Sequence, residues 1–217
     1  MSQDNITMLD GGESVTLYDR FASLYDITFK FNRYSHSIER YLRERAIPLG
    51  DDASVLDAGC GTGLLTLALL RTLARPARVT AIDLSAPSLR KAENAVAGLD
   101  ESKRHRVSFL QANLLALPFA DATFDFVATS GALEYVPFGE GVAEIARVVK
   151  PGGYLLHLPV RPSPASTLLE LMFRFKTHAP AEVDAHTRRH FRVLERHRFN
   201  PAEPIGWTKE AILCQKS

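Results

Sequence analysis

The sequence predicts an α/β fold in which a mostly parallel sheet is covered by helices on both faces. From Ser54 to Leu158, short β-rich runs alternate with helical segments. Such alternation buries a sheet between two helical layers when its strands run parallel. The first of these strands ends in a turn with three glycines, Gly59, Gly61 and Gly63, that opens a helix. The chain has 217 residues, 46% hydrophobic and 24% charged. That suits a single domain and excludes a disordered or fibrous chain.

The elements follow in order. Residues 1–14 are polar and glycine-containing, and are expected to fray. From Thr16 to about Ile47 apolar residues recur at three and four positions (Leu17, Phe21, Leu24, Tyr25, then Ile38, Tyr41, Leu42), with a break at Asn32-Arg33, which predicts two helices. Pro48–Asp52 is a turn. Ser54–Leu56 and Val79–Ile82 are strands, separated by a helix from Leu64 to Leu73 that Pro76 closes. Ser85 caps a helix running to Val96, with Pro87 in its first turn. Arg106–Leu110 and Phe124–Thr129 are strands, and Gly139–Val149 is a helix stopped by Lys150-Pro151-Gly152-Gly153. Tyr154–Leu158 is the next strand. Beyond it, Ser166–Lys176 reads as an amphipathic helix and Asp184–Arg198 as a basic one. Residues 204–207 and 211–214 read as the two arms of a closing hairpin.

Composition removes several functions. No apolar run approaches the roughly 20 residues of a membrane span, and the first residues lack the pattern of a secretory signal, so a cytoplasmic location is expected. Cys60 and Cys214 are too few for a disulfide framework or a four-ligand zinc site, and no metal site is predicted. His186 and His190 stand four apart but lack acidic or sulfur partners. The net charge of +1 is uneven: residues 161–217 hold ten Lys/Arg and six acids, a net +4, which leaves −3 for the rest. A solvated helix face explains a bias of this size; a phosphate or an anionic membrane surface is the sharper alternative.

The run Val55-Leu56-Asp57-Ala58-Gly59-Cys60-Gly61-Thr62-Gly63 holds the strongest chemical signal. Glycines let the backbone approach a ligand closely, and the helix start offers free N–H groups. Ligands of parallel sheets sit outside the carboxyl ends of the strands. Asp83 ends the second strand, twenty residues past Gly63, where a carboxylate can accept both hydroxyls of a ribose. The spacing is G-x-G-x-G rather than the G-x-G-x-x-G of dinucleotide folds. Asp57, two residues before the first glycine, would repel a pyrophosphate but suits a cationic, amine-bearing ligand. That favours S-adenosylmethionine over a nicotinamide dinucleotide.

These residues resemble class I S-adenosylmethionine-dependent methyltransferases. V-L-D-A-G-C-G-T-G (55–63) and A-I-D-L-S (81–85) look like that family's first two motifs. Residues 111–125, with Leu117-Pro118-Phe119, look like its D-A-x-x-L-P-F-x-D-x-x-F-D segment, and residues 144–153 like its R-V-L-K-P-G-G segment. The resemblance implies a Rossmann-like, mostly parallel seven-stranded sheet with helices on both faces, an antiparallel last strand and an N-terminal helical cap. It divides the single domain into a cap (1–49), a cofactor-binding core (50–160) and substrate-side helices with a closing hairpin (161–217). It implies that Asp57, Gly59, Cys60, Gly61 and Gly63 shape the methionine end of the site. Asp83 then holds the ribose, Leu84 packs on the adenine, and Leu114 is a further cofactor-binding residue. Asn113 stands where the family commonly has Asp; its oxygen still accepts a hydrogen bond, without the charge. Ser130 and Gly131 border cofactor and reaction centre. The product would be S-adenosylhomocysteine.

The acceptor is less legible. Ser130-Gly131-Ala132-Leu133 does not resemble the N/D-P-P-Y motif of planar-amine methylation, neither cysteine suits cytosine C5 chemistry, and the balance is not basic enough for nucleic acid. A small-molecule or lipid-like acceptor remains, with peripheral membrane contact as an accompaniment. Residues 18–26 resemble the opening helix of quinone-biosynthesis and phosphatidylethanolamine methyltransferases, which implies that Tyr18 and Tyr25 reach the cofactor; the alternative is a pair of core aromatics. If a base is needed, the candidates are His157, Tyr135, Glu134 and His36. His157 has the best position, at the sheet's carboxyl edge, and its alternative is a hydrogen-bonded core histidine. A non-catalytic cofactor-binding partner protein and a nicotinamide-dependent oxidoreductase are the competing functions.

Overall fold

A computed structural model describes residues 34–45, 47–100, 104–173, 175–203 and 205–217. The strands are β1 (Ala53–Ala58), β2 (Ala77–Asp83), β3 (Arg106–Gln111), β4 (Phe124–Ser130), β5 (Val149–Leu158), β6 (Phe191–Arg198) and β7 (Glu210–Lys216). The helices are α1 (Tyr34–Glu44), α2 (Leu64–Thr72), α3 (Ala86–Ala97), α4 (Phe138–Val148), α5 (Pro164–Phe173), α6 (Pro180–His190) and the single turn α7 (Ile205–Thr208). The seven strands form one sheet in the order β3-β2-β1-β4-β5-β7-β6. β1 to β5 run parallel, and β7 is antiparallel to both neighbours, as the resemblance implies.

Strand alternation sorts the two faces. Val55, Val79, Phe126 and Leu156 point to one layer, where they pack with Ile38 and Tyr41 of α1 and Leu69 of α2. Leu56, Ile82, Val127 and Leu155 point to the other, against Val142 and Ile145 of α4 and Val183 of α6. The central strand β1 is buried at five of six positions, hence its nearly continuous apolar run. β1 lies between β2 and β4, so the ends of these three strands, Ala58, Asp83 and Ser130, open side by side on one edge. The switch of strand order lies there, where doubly wound sheets hold ligands.

Several boundaries differ from expectation. The basic helix predicted over 184–198 ends at His190, and Phe191–Arg198 is strand β6. That segment alternates: Phe191 is buried while Arg192, Leu194, Arg196 and Arg198 are exposed. Pairing along its whole length with β7 overrides its helical appearance. β6 is therefore the first arm of the closing hairpin, and where residues 204–207 are predicted as that arm, residues 205–208 form a helical turn. The predicted Lys150–Gly153 turn is part of β5, with Gly152 at φ 74° and a register shift opposite Phe124–Phe126. α5 ends at Phe173, and among its described residues only Ser166 is buried; Leu168 and Leu171 are 60% and 81% exposed. The predicted helix of residues 16–31 lies outside the described residues.

Candidate functional site

The turn after β1 is held by the end of β2. The N–H groups of Gly59 and Cys60 both donate to the Ile82 carbonyl, at 2.9 and 2.7 Å. Gly61 N–H donates to Asp83 Oδ2 at 2.8 Å, and Ser85 N–H donates to Asp83 Oδ1 at 2.9 Å. One carboxylate thus ties the glycine turn to the start of α3, where the Ser85 hydroxyl caps the N–H of Ser88. Two glycines are required by their surroundings. Gly59 sits at φ 78°, and a Cβ there would lie 2.2 Å from the Cβ of Ala132. Gly63, at φ 93°, is the N-cap of α2, and a Cβ would lie 3.0 Å from Ala92.

Asp57 lies behind the turn, fully buried. Thr66 Oγ1 donates to its Oδ2 at 2.6 Å, while Oδ1 has no hydrogen-bond partner among the described residues. Burial pushes the carboxyl up to about 7, against the opposing Thr66 bond and with a further push from Asp83. A buried carboxylate with one unsatisfied oxygen is costly unless a donor arrives.

In front of the turn is a cleft of about 1800 Å³. Cys60, Gly61, Asp83, Leu84, Asn113 and Leu114 line one end, and Leu84 is 54% exposed although apolar. The Asn113 side-chain oxygen accepts from Leu115 N–H at 2.9 Å, which shapes the turn after β3 and leaves its second lone pair and its amide donors unused by that bond. Burial pushes the Cys60 thiol well above its usual range, so it stays protonated. Asp57 and Gly63 stand behind the cleft rather than on its wall.

Ser130, Gly131, Glu134 and Tyr135 line the middle of the cleft. The Ser130 hydroxyl is bonded to the Tyr34 phenol, whose pKa is raised, chiefly by burial, and accepts from Lys209 Nζ at 3.1 Å. Glu134 is only 4% exposed; its Oε1 accepts from Val160 N–H, and its Oε2 has no hydrogen-bond partner among the described residues. Tyr135 is 45% exposed, with its ring 5.9 Å from that of Phe175. The far end of the cleft is lined by Met172, Phe173, Phe175, His178, His186 and His190. Among the described residues no cluster of His, Cys, Asp or Glu can hold a metal ion.

Of the candidate bases, only Glu134 and Tyr135 reach the cleft. His157 is 2% exposed, packs on Phe138 at 5.6 Å between ring centroids, and does not line the cleft. Burial, followed by the charge of Lys209, pushes its ring down to about 3, which makes it a poor base near neutrality. The position at the sheet's carboxyl edge is right, but the side chain faces the helical layer of α4. His36 is exposed on α1 and also stands off the cleft. Tyr18 and Tyr25 lie outside the described residues. Sequence reasoning missed Tyr34 and Lys209. Each is a lone polar residue in an unremarkable stretch, and only the packing of α1 and the start of β7 against Ser130 brings them to the site.

Residues 55–153 match the family described as a methyltransferase domain. A demethylmenaquinone methyltransferase of Lactiplantibacillus plantarum is 37% identical over 146 residues, which is 65% of this chain and 60% of that protein. The chain thus spans about three fifths of the length of this curated relative. In overall shape it is similar to a putative methyltransferase of Haloferax volcanii solved with the Trm112 methyltransferase activator. There the TM-score is 0.71 at 20% identity, over 92% of this chain and 97% of that one. It is also similar to the geranyl diphosphate C-methyltransferase of Streptomyces coelicolor, solved with Mg2+, geranyl-S-thiolodiphosphate and S-adenosylhomocysteine. That TM-score is 0.67 at 16% identity, over 82% of this chain and 75% of that one. Among the described residues no helix is long and apolar enough to cross a membrane.

Proposed function

We propose that this chain, whose core is a class I methyltransferase domain, transfers a methyl group from S-adenosylmethionine to a small, lipid-like acceptor. The observation that carries the reading is the pairing of two carboxylates around one glycine turn. Asp57 stands behind the turn with an oxygen that has no partner among the described residues, and Asp83 braces its front. Asp57 does not line the cleft, so its carboxylate, once ionised, favours an ammonium group in front of the turn by its charge. Each Asp83 oxygen accepts one backbone N–H from the glycine turn or the start of α3, which fixes the carboxylate on the cleft wall where it faces a ribose diol. Leu84, exposed in the cleft, offers an apolar face to an adenine, and Asn113 offers its amide to the ring edge.

When bound, the cofactor supplies an electrophilic methyl group on a sulfonium, and the acceptor's nucleophile displaces it in line to leave S-adenosylhomocysteine. The protein's contribution is alignment and exclusion of water. Glu134, on the cleft wall with an oxygen unpartnered among the described residues, takes the acceptor's proton where one must leave. The cleft exceeds the roughly 300–1,000 Å³ of a single small-ligand site, which leaves room for an acceptor. Met172, Phe173, Phe175 and Tyr135 give its far half an apolar, aromatic stretch beside His178, His186 and His190, which suits a ring-bearing acceptor such as the demethylmenaquinone in a relative's name.

The organisation that goes with this function is a cap over 1–49, a cofactor core over 50–160 and substrate-side elements over 161–217. The protein acts in the cytoplasm and touches membrane through the exposed Leu168, Leu171 and Met172. Calorimetry with S-adenosylmethionine and S-adenosylhomocysteine tests the reading. Micromolar binding of both is expected, and Asp83→Ala should weaken it by about tenfold to a hundredfold, since a charged hydrogen bond is lost. Absence of binding by either ligand at high micromolar concentration would sink the proposal. Labelled methyl groups supplied with fractionated extract should then enter the lipid or quinone fraction.

A further inference from the structure

We propose that Lys209 holds an ionised oxygen of the methyl acceptor, which makes the acceptor a phenol or an enolisable carbon acid rather than an amine. The inference rests on the methyl-transfer reading above and deepens it. Lys209 precedes β7 and is 2% exposed. Its Nζ donates to Ser130 Oγ and to the Leu158 carbonyl, each at 3.1 Å. Both acceptors are neutral, and among the described residues no carboxylate forms an ion pair with it. An ammonium has three donors, so one remains. A buried cation without a counter-charge is expensive to keep in a fold that has no use for it.

The remaining donor has a place to act. A side pocket of about 20 Å³ lies against Lys209, walled by Gly131, Tyr135, Val160, Leu169 and Phe175. Gly131, Tyr135 and Phe175 also line the main cleft, so the pocket adjoins that cleft across these three residues. Its volume admits one oxygen atom or one water and no more. A phosphate or carboxylate group is too large for it, and a protonated amine would be repelled by the ammonium. The ring faces of Tyr135 and Phe175 suit an aromatic acceptor whose oxygen enters the pocket. Gly131 keeps the approach open, because a Cβ there would lie 3.1 Å from Nζ.

The proton balance closes within the same cleft. The acceptor's O–H proton passes to Glu134 Oε2, a buried oxygen without a partner among the described residues, while the bonding pair stays on the acceptor oxygen and faces Lys209. Glu134 and Lys209 flank Val160: the carboxylate accepts from Val160 N–H, and the backbone of Lys209 bridges to Val160. Acid and cation are thus both anchored to Val160, a wall residue of the pocket, and form no ion pair with each other among the described residues.

The test uses 4-nitrophenol as the probe, with S-adenosylhomocysteine present, and follows the yellow phenolate by absorbance. S-adenosylhomocysteine binding is measured first, so failure of the methyltransferase reading shows separately as failure of that binding. The wild-type protein is expected to bind the phenolate and to lower the apparent pKa of the phenol. It should bind 4-nitrotoluene, which has the same shape without the oxygen, about tenfold more weakly or worse. Lys209→Met is expected to lose the phenolate and its pKa shift while keeping S-adenosylhomocysteine affinity, and Lys209→Arg to restore part of both. The nitrotoluene comparison needs no variant and stands even if Lys209→Met fails to fold. No phenolate binding by wild type, equal binding of phenolate and nitrotoluene, or an unchanged phenolate pKa in folded Lys209→Met overturns the assignment.

Discussion

The Thr66 hydroxyl donates to Asp57 Oδ2 over 2.6 Å, while Oδ1 of the same carboxylate, fully buried, has no partner among the described residues. A carboxyl held near 7 by burial keeps its proton in the folded state after the unfolded chain, with a pKa near 3.9, has lost it. Its contribution to stability is therefore present below about 4 and is lost as pH rises through about 7. Asp57→Asn should raise the melting temperature of the ligand-free protein by several degrees at pH 8, with the gain shrinking towards pH 5. The same variant should bind S-adenosylhomocysteine about tenfold to a hundredfold more weakly. In the wild type that binding should strengthen with pH up to about 7 and then level off, as calorimetry at several pH values would read.

Gly59 and Gly152 share a left-handed backbone, at φ 78° and 74°, but differ in their surroundings. A Cβ on Gly59 would overlap Ala132, whereas nothing stands within 4 Å of one on Gly152. Gly152→Ala should cost about 1–2 kcal/mol from backbone strain alone. Gly59→Ala should add about 1–3 kcal/mol of overpacking and abolish cofactor binding, because the turn must move. Urea melts and calorimetry of the two variants separate strain from clash.

Arg147 straps the segment before β4 to α4. Its guanidinium donates to the carbonyls of Leu117 and Phe119, to Asp121 and to both oxygens of Glu144. Glu144 in turn accepts from Leu117 N–H at 2.7 Å. A lysine cannot reproduce that planar fork, so Arg147→Lys should destabilise by about 1–3 kcal/mol despite keeping the charge. The hydrogen bond from Arg147 holds the Glu144 carboxyl below its ordinary pKa. This stabilisation is present at neutral pH and is lost as the medium is acidified below about 4. The wild type should therefore lose its advantage over Arg147→Lys at low pH, which melts between pH 3 and pH 7 would show.

His157 is held neutral, with its pKa near 3 against about 6.5 in the unfolded chain. Between these values the unfolded state takes the proton, so the group destabilises the fold as pH falls from about 6.5 towards 3. His157→Phe should melt less steeply with acid, by about 2 kcal/mol at pH 5. Its methyl transfer should stay close to wild type, because the ring stands off the cleft. A collapse in turnover with an unchanged fold would make His157 part of the chemistry after all.

The half of the site proposed for the cofactor was legible as local structure because each of its parts is local. Val55–Gly63 is a strand and a turn read along the chain, Ser85 announces its helix by capping it, and Asp83 sits at a fixed distance from the turn. The acceptor half was not, for two physical reasons. The segment 191–198 carries both a basic helical look and a two-residue alternation, and only pairing with β7 makes it a strand. Tyr34, Ser130 and Lys209 lie far apart in sequence, and nothing local distinguishes Lys209 from a solvated lysine. The sequence by itself determined the α/β sheet, the glycine turn and the two acids around it, since spacing and residue type suffice there. Tertiary structure alone decided that Lys209 is buried, that His157 faces the helical layer and that Glu134 reaches the cleft. Each of these depends on which neighbours a strand or loop end acquires, and burial is a property of the packed neighbours rather than of the residue.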